Sequence, residues 1–299
     1  MARKRTVLYT AFNIRMHPHS PQKYVDLFER LFDLRRQVNL RGDIYGILTQ
    51  IKPINDSFVN GISGEIAKFT KIDVGKWFNV EKLREAEEDE TKKIKIPDAL
   101  RPNFTSFNFV FYPNNHYLVI ECKDKFGQIS PKLLEIYLRN LLDTEEIVNE
   151  FNTIELTLVP RTDQLESVLS LKQVNSLELI IRRPNTDGLE DLEDEVLERL
   201  NRQNAEEEII TLKAQKGLSI EADDRTIALG HIAQLNGEVK TTGYDESGRR
   251  TQKSTKQHPF IESGKYSPSD TTAKDFLLEM ASSIIDKIRD MARVRNQDG

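Results

Sequence analysis

The sequence predicts an α+β protein: mixed or antiparallel sheets with helices packed on one face, and a second, smaller α+β region at the C-terminal end. Three observations predict it. Strand-like and helix-like periodicities alternate from Val7 to Arg182. A hairpin signal, Thr105 to Tyr112 and His116 to Lys123 around Pro113-Asn114-Asn115, calls for antiparallel pairing. After Gly188 the character changes to an acidic helix, a polar hairpin and a long terminal helix. The chain therefore divides into residues 1–185, which carry a charged loop at 81–97, and residues 186–299.

Val7 to Met16 is rich in β-branched and aromatic residues, as expected of a strand with one covered face. A helix follows, with Ser20 as N-cap and Pro21 in the first turn, where its missing N–H has no partner to lose. Its apolar stripe is Tyr24, Leu27, Phe28, Leu31 and Leu34. Asp43 to Ile51 and Gly61 to Ile72 read as strands separated by the turn-like Lys52-Pro53-Ile54-Asn55-Asp56. Glu81 to Lys95 offers almost nothing to bury, which predicts a solvated insertion or mobile loop. In the Pro113-Asn114-Asn115 hairpin, asparagine is expected to take the left-handed backbone of the turn. Ser130-Pro131 starts a helix through Leu142. A short helix at Glu145 to Phe151, a strand at Ile154 to Val159, a helix at Asp163 to Leu171 and a strand at Ser176 to Arg182 follow. Beyond Gly188 come an acidic helix, Glu190 to Asn201, a strand, Glu208 to Ala214, and a polar hairpin, Glu238 to His258, turning at Asp245-Glu246-Ser247-Gly248. The last helix, from about Asp270 to Val294, places Leu277, Met280, Ile284, Ile288 and Met291 near heptad spacing. That run is short for a coiled coil, which favours docking on its own core over docking on a second copy.

Composition narrows the function classes. The 299 residues are 38% hydrophobic and 30% charged, enough for real cores. With 43 Lys plus Arg against 48 Asp plus Glu, the formal charge is -5, so any contact with nucleic acid or acidic lipid must be a local patch. The single cysteine, Cys122, excludes an intramolecular disulfide and a cysteine-based zinc cage, and agrees with a reducing compartment. No apolar stretch approaches the roughly 18 to 20 residues needed to span a bilayer. Met1-Ala2-Arg3-Lys4-Arg5 runs straight into the alternating Thr6-Val7-Leu8-Tyr9 instead of an apolar signal core. The expectation is a cytoplasmic protein with no membrane insertion.

Tyr117 to Lys123 holds the sharpest chemical motif. In a regular strand Glu121 and Lys123 share one face, and a carboxylate with a nearby lysine can hold a divalent metal and stabilise an attacked phosphate. With Pro97-Asp98 upstream, the pattern resembles the PD-(D/E)xK nucleases. That resemblance would make Asp98 and Glu121 ligands of Mg2+ and Lys123 the charge stabiliser. The competing reading is a turn at Asp98 and a solvated Glu/Lys pair at a hairpin end. His17-Pro18-His19 reads as a strand-to-helix turn with exposed imidazoles, since no third ligand sits nearby in sequence. The chain carries no phosphate-binding glycine loop, nucleophile elbow or dinucleotide fingerprint. Two basic groups remain, Arg182-Arg183 at a strand end and Arg249, Arg250, Lys253 and Lys256 on the polar hairpin. Each can neutralise phosphates without reading bases.

The order of segments resembles a known family. Phe107 to Phe111, Tyr117 to Ile120, the helix from Ser130, the strand Leu177 to Ile181 closing in Arg182-Arg183-Pro184, and the late Glu279-Met280-Ala281 helix are together similar to RexA-like phage-exclusion proteins. The likeness covers about two-thirds of the chain, from about residue 104 onward. The whole chain also resembles a family of bacterial proteins of similar length, through Phe12 to Pro21 and Leu40-Arg41-Gly42-Asp43. The RexA likeness implies a homodimeric, sequence-indifferent DNA-binding protein that helps a resident phage or mobile element exclude other phages, with no catalytic centre. Arg182 and Arg183 match a more basic strand end in that family, but the helix after them is acidic here, which shifts weight to Arg249, Arg250, Lys253 and Lys256. The expected function is a non-enzymatic DNA binder of an anti-phage system. The alternatives are a metal-dependent nuclease and a regulatory partner of a second defence protein.

Overall fold

A computed structural model describes residues 4–72, 77–92, 94, 97, 99–123, 126–184 and 191–292. Along the chain these form β1 (Arg5–Met16), α1 (Pro21–Asp33), β2 (Val38–Arg41), β3 (Ile44–Ile54), β4 (Ser57–Thr70), β5 (Phe78–Asn79), β6 (Arg84–Glu85), α2 (Glu88–Thr91), β7 (Thr105–Tyr112) and β8 (Tyr117–Lys123). Next come α3 (Pro131–Leu142), α4 (Glu145–Phe151), β9 (Ile154–Leu158), α5 (Gln164–Leu169), β10 (Gln173–Arg182), α6 (Asp191–Arg202), β11 (Glu207–Lys213), α7 (Asp224–Asn236), β12 (Gly237–Tyr244), β13 (Arg250–Ser254), β14 (Glu262–Tyr266) and α8 (Ala273–Ala292). The class is α+β and all the named strand pairs are antiparallel, as the sequence predicts.

The main sheet runs β14-β1-β8-β7-β4-β3-β2, and β9 continues the β14 edge by pairing with the second half of β1. A second sheet runs β11-β10-β12-β13. The break at residue 185 in chain order is not the break between sheets. β10 precedes it yet belongs to the second sheet, while β14 and α8 follow it yet pack on the main sheet.

Alternation along β1 explains the layering. Phe12, Ile14 and Met16 face a core with Tyr24, Leu27, Phe28 and Leu31 of α1 and Leu134, Tyr137 and Leu141 of α3. Val7, Tyr9 and Ala11 face the opposite side, against Leu277, Ile284 and Ile288 of α8. Helices thus cover both faces of the main sheet, not one, because β1 is apolar on both. The α8 stripe is spent on the chain's own core. A third core lies under the second sheet, where Leu177, Leu179, Ile181 and Val239 meet Val168 of α5, Val196 and Leu200 of α6 and Ile232 of α7.

Several local details differ from expectation for identifiable reasons. The β3–β4 turn is only Asn55-Asp56, both with positive φ, the geometry that matches strand twist. Pro53 lies inside β3 where that strand has run past β2, so its missing N–H interrupts no ladder. In the β7–β8 turn the left-handed residue is buried His116 (φ 62), not an asparagine. The charged stretch contains the β5–β6 ribbon and the single turn α2. It is held by charge instead of burial: the Glu90 carboxylate accepts from Lys82 Nζ (2.7 Å), Asn79 Nδ2 (2.9 Å) and the Glu87 N–H (2.9 Å).

The two sheets are tied by polar groups from β1. Arg15 is fully buried and donates to Asn236 Oδ1 (2.9 Å) at the end of α7, to the Arg183 carbonyl (3.3 Å) just past β10, and to Thr157 Oγ1 (2.9 Å) of β9. Asn13 Nδ2 donates to the Leu235 carbonyl (3.3 Å). His17 is part-buried rather than exposed, with Nε2 3.4 Å from the Arg183 carbonyl. Burial is the main cause that pushes its pKa down to about 4, and the Arg183 charge adds to it. A folded pKa below the unfolded value of about 6.5 means that the unfolded chain binds more protons between the two. Stability should therefore fall as pH drops from about 6.5 towards 4. Urea denaturation across that range should show a shallower fall in His17→Gln than in the unaltered chain.

Candidate nucleic-acid interface

Of the basic residues named from the sequence, the pairs Arg182-Arg183 and Arg249-Arg250 sit at opposite ends of β10, while Lys253 and Lys256 lie along the hairpin between them. Tyr244, at the end of β12, pairs with both Gln173 and Arg250, while Arg182 closes the other end of β10. Nine residue steps at roughly 3.3 Å each separate the ends by about 30 Å.

At the Arg182 end the Arg182 charge is taken up within the fold, and Arg183 is hydrogen-bonded there. Arg182 meets Glu155 (3.4 Å) and Glu207 (3.3 Å). The Arg183 guanidinium donates to Asn201 of α6, and its carbonyl receives Arg15 and faces His17. Two hairpin lysines are likewise occupied: Lys253 Nζ donates to the Ser167 carbonyl (2.7 Å) and Lys256 meets Glu238 (3.1 Å). Glu238 also accepts from Ser254 Oγ (2.6 Å), and these contacts outweigh burial to hold its carboxyl below the usual range. Of the residues named from sequence, only Arg249 and Arg250 are exposed and without an ion-pair partner among the described residues.

Topology adds three cations that the sequence reading passed over. Lys172 precedes β10, Lys213 ends β11 and Lys216 lies in the loop that follows. That loop is pinned to the start of β10 by the Ala214 N–H to the Asn175 carbonyl (2.9 Å) and the Ile220 N–H to the Val174 carbonyl (2.9 Å). All three lysines are exposed and unpaired among the described residues. At this end lies a shallow groove of about 490 Å³ lined by Lys172, Gln173, Gly217, Ser219, Tyr244, Asp245 and Gly248. Tyr244 is 36% exposed there, an aromatic surface among cations. The sequence signal was the Lys213-Ala214-Gln215-Lys216-Gly217 run, which has meaning only once β11 is known to end beside the first half of β10.

The hairpin tip is shaped by Asp245. Its Oδ1 accepts from the Ser247 N–H (2.9 Å), Ser247 Oγ (2.6 Å) and the Arg249 N–H (3.0 Å), and Gly248 supplies the positive φ that closes the turn. Hydrogen bonds, first from the Ser247 hydroxyl and then from the Arg249 N–H, keep that carboxyl below its ordinary range. Its lone pairs thus serve the turn, and Glu246 is the remaining exposed acid of the tip.

The Glu121/Lys123 part of the nuclease reading does not keep its expected geometry. The β1–β8 register slips between Leu8 and Tyr9, so that Tyr9 faces Glu121 while Leu8 faces Lys123, with Cys122 the extra bulge residue. Tyr9 belongs to the α8-side core and Leu8 packs on the opposite core, so the bulge turns Glu121 and Lys123 to different faces. The shared face inferred from simple alternation is lost. Glu121 is buried and accepts from the Asn108 N–H (2.9 Å) and Asn108 Nδ2 (2.7 Å). Asp98 lies outside the described residues. Among the described residues no group of three His, Cys, Asp or Glu is arranged to hold a metal. Cys122 is a buried free thiol, pushed up to about 11 by burial. No helix among the described residues is long and apolar enough to cross a membrane.

These features define a class: an α+β chain of two antiparallel sheets whose smaller sheet ends in uncompensated cations. The chain belongs to the family described as domain of unknown function (DUF4747), whose model matches residues 5–282. No curated protein matches the sequence.

Gly243 sets the approach of β12 to β10 at this end. A Cβ there would lie 1.9 Å from the Gln173 carbonyl oxygen, and no flexible side chain is available to yield. Gly243→Ala should cost about 2–4 kcal/mol in chemical denaturation. It should also loosen Tyr244 and Arg250, visible as faster amide exchange in β12 and β13 than in the main sheet.

Proposed function

We propose that this chain binds nucleic acid, DNA in the first instance, through its sugar-phosphate backbone at the Lys172, Lys216, Arg249 and Arg250 end of the second sheet. The observation that carries the reading is that four exposed cations, none ion-paired among the described residues, lie on the strand ends and loops at this end, where Lys172 and Tyr244 line a shallow groove. Cations of this kind gain affinity by releasing counterions from phosphates, and an exposed ring offers a stacking surface that accepts any base. Neither contact distinguishes sequences, so binding is sequence-indifferent and needs no catalytic group. Of the others named beside Arg249 and Arg250 from sequence, Arg182 and Lys256 are ion-paired within the fold, and Arg183 and Lys253 donate to Asn201 and the Ser167 carbonyl. A cytoplasmic role in phage exclusion, alone or with a second defence protein, accompanies this reading through the resemblance to RexA-like proteins.

The test is fluorescence anisotropy of a labelled plain duplex titrated with the full chain at several salt concentrations, with Mg2+ and with EDTA. Affinity should fall steeply with salt, and the duplex should stay intact in both conditions. Arg249→Ala/Arg250→Ala should reduce the slope of log K against log salt by about 2. Arg182→Ala should leave the slope unchanged and lower the melting temperature. Salt-independent binding, or no binding at low salt, overturns the reading, and shortened products only with Mg2+ replace it with the nuclease.

A further inference from the structure

We propose that β11 is a docking edge for a second copy of this chain, the two β11 strands pairing antiparallel about Ile210 to merge two four-stranded sheets into one of eight strands. β11 ends its sheet and pairs only with β10. The Ala214 N–H bond to the Asn175 carbonyl sets the phase of that pairing. By alternation, the main-chain groups of Glu207, Ile209, Thr211 and Lys213 point away from β10. Three of its seven residues, Glu207, Glu208 and Lys213, are charged, but the edge has no break in its pairing. Its seven-residue register with β10 contains no bulge and no proline, and Ile209 and Leu212 are 54% and 37% exposed.

The occupant is read from the order of residues. Glu207-Glu208-Ile209-Ile210-Thr211-Leu212-Lys213 is self-complementary when reversed about its centre. Glu207 of each copy then faces Lys213 of the other, Ile209 faces Thr211, and Ile210 faces its own counterpart. Both ion pairs fall on the solvent face of the sheet, where Glu207 keeps 41% of its side chain exposed while also meeting Arg182. A slip of one residue would put every side chain opposite one on the wrong face, and a slip of two would separate both Glu–Lys pairs. Charge and pleat together select the register centred on Ile210. The two-fold axis stands perpendicular to the sheet, so the apolar inner faces of both copies remain on the same side.

Sedimentation equilibrium of the nucleic-acid-free full chain tests this, and because its readout is mass alone it is independent of phosphate binding. The unaltered protein should sediment at twice the chain mass at micromolar concentration. Thr211→Pro removes an outward N–H and leaves the β10 ladder whole, so it should sediment as a single chain with an unchanged circular dichroism spectrum. Lys213→Glu alone and Glu207→Lys alone each set like charges face to face, raising the dimer Kd at least about tenfold. Mixed in equal amounts, these two variants restore both ion pairs and should recover the dimer, which shows that each is folded. A single-chain mass for the unaltered protein, a dimer that survives Thr211→Pro, or a mixture no tighter than its components overturns the proposal.

Discussion

A single buried guanidinium holds the two sheets in register with each other. Arg15 reaches β9, the end of α7 and the chain just past β10 from one position in β1, so the main sheet, the second sheet and a helix that covers the second sheet converge on it. Burial lowers its pKa to about 10, still well above neutrality, and the group remains charged with Glu155 as its nearest compensation. Glu155 in turn meets Arg182, which meets Glu207 on β11. This chain of alternating charges anchors one end of β10 to the main sheet. It also explains why Arg182 is not free for phosphates: removing it from the series would leave Glu155 and Glu207 unbalanced in a partly desolvated seam. With that end fixed, the far end of β10 carries the free cations.

The fold was legible in the sequence wherever one periodicity dominated. α1 and α3 each have a serine cap, a first-turn proline and one apolar stripe, and both form where the pattern places them. α7 went unread because it is buried on more than one side, between the second sheet and α8. Ala228, Leu229, Gly230 and Ile232 to Asn236 are all buried, leaving no polar face to reveal a period. β14 was missed for the opposite reason. Glu262-Ser263-Gly264-Lys265-Tyr266 is mostly polar, and it is a strand because the edge of β1 was open to it. Its glycine is required by packing, since a Cβ at Gly264 would lie 2.7 Å from the Phe276 ring.

The candidate site was legible only in part, and the limit is topological. Arg249-Arg250 stands out as a pair in sequence, but Lys172, Lys213 and Lys216 are scattered, and only the β11-β10-β12-β13 order gathers them. The same topology corrected the Glu121/Lys123 pair. Alternation is a rule about regular strands, and one extra residue opposite Leu8 and Tyr9 reverses its conclusion. Motifs that depend on which face a side chain takes are only as secure as the register beneath them.

Net charge is a poor guide to such a surface because pairing, not composition, decides which charges act outward. The chain carries five more acids than Lys plus Arg, yet part of the acid around the second sheet is paired within the fold. Asp223 caps α7 through the Thr226 N–H (2.8 Å), and Glu178 and Glu238 hold Lys240 and Lys256. At this end Lys172, Lys216, Arg249 and Arg250 outnumber the acids Glu221, Asp245 and Glu246. At physiological ionic strength the field of an exposed charge decays over about 8 Å, so acids at the other end of β10, about 30 Å away, do not cancel it. A phosphate approaching this end therefore meets the local surplus, while the molecule as a whole keeps the negative charge that limits non-specific association elsewhere on its surface.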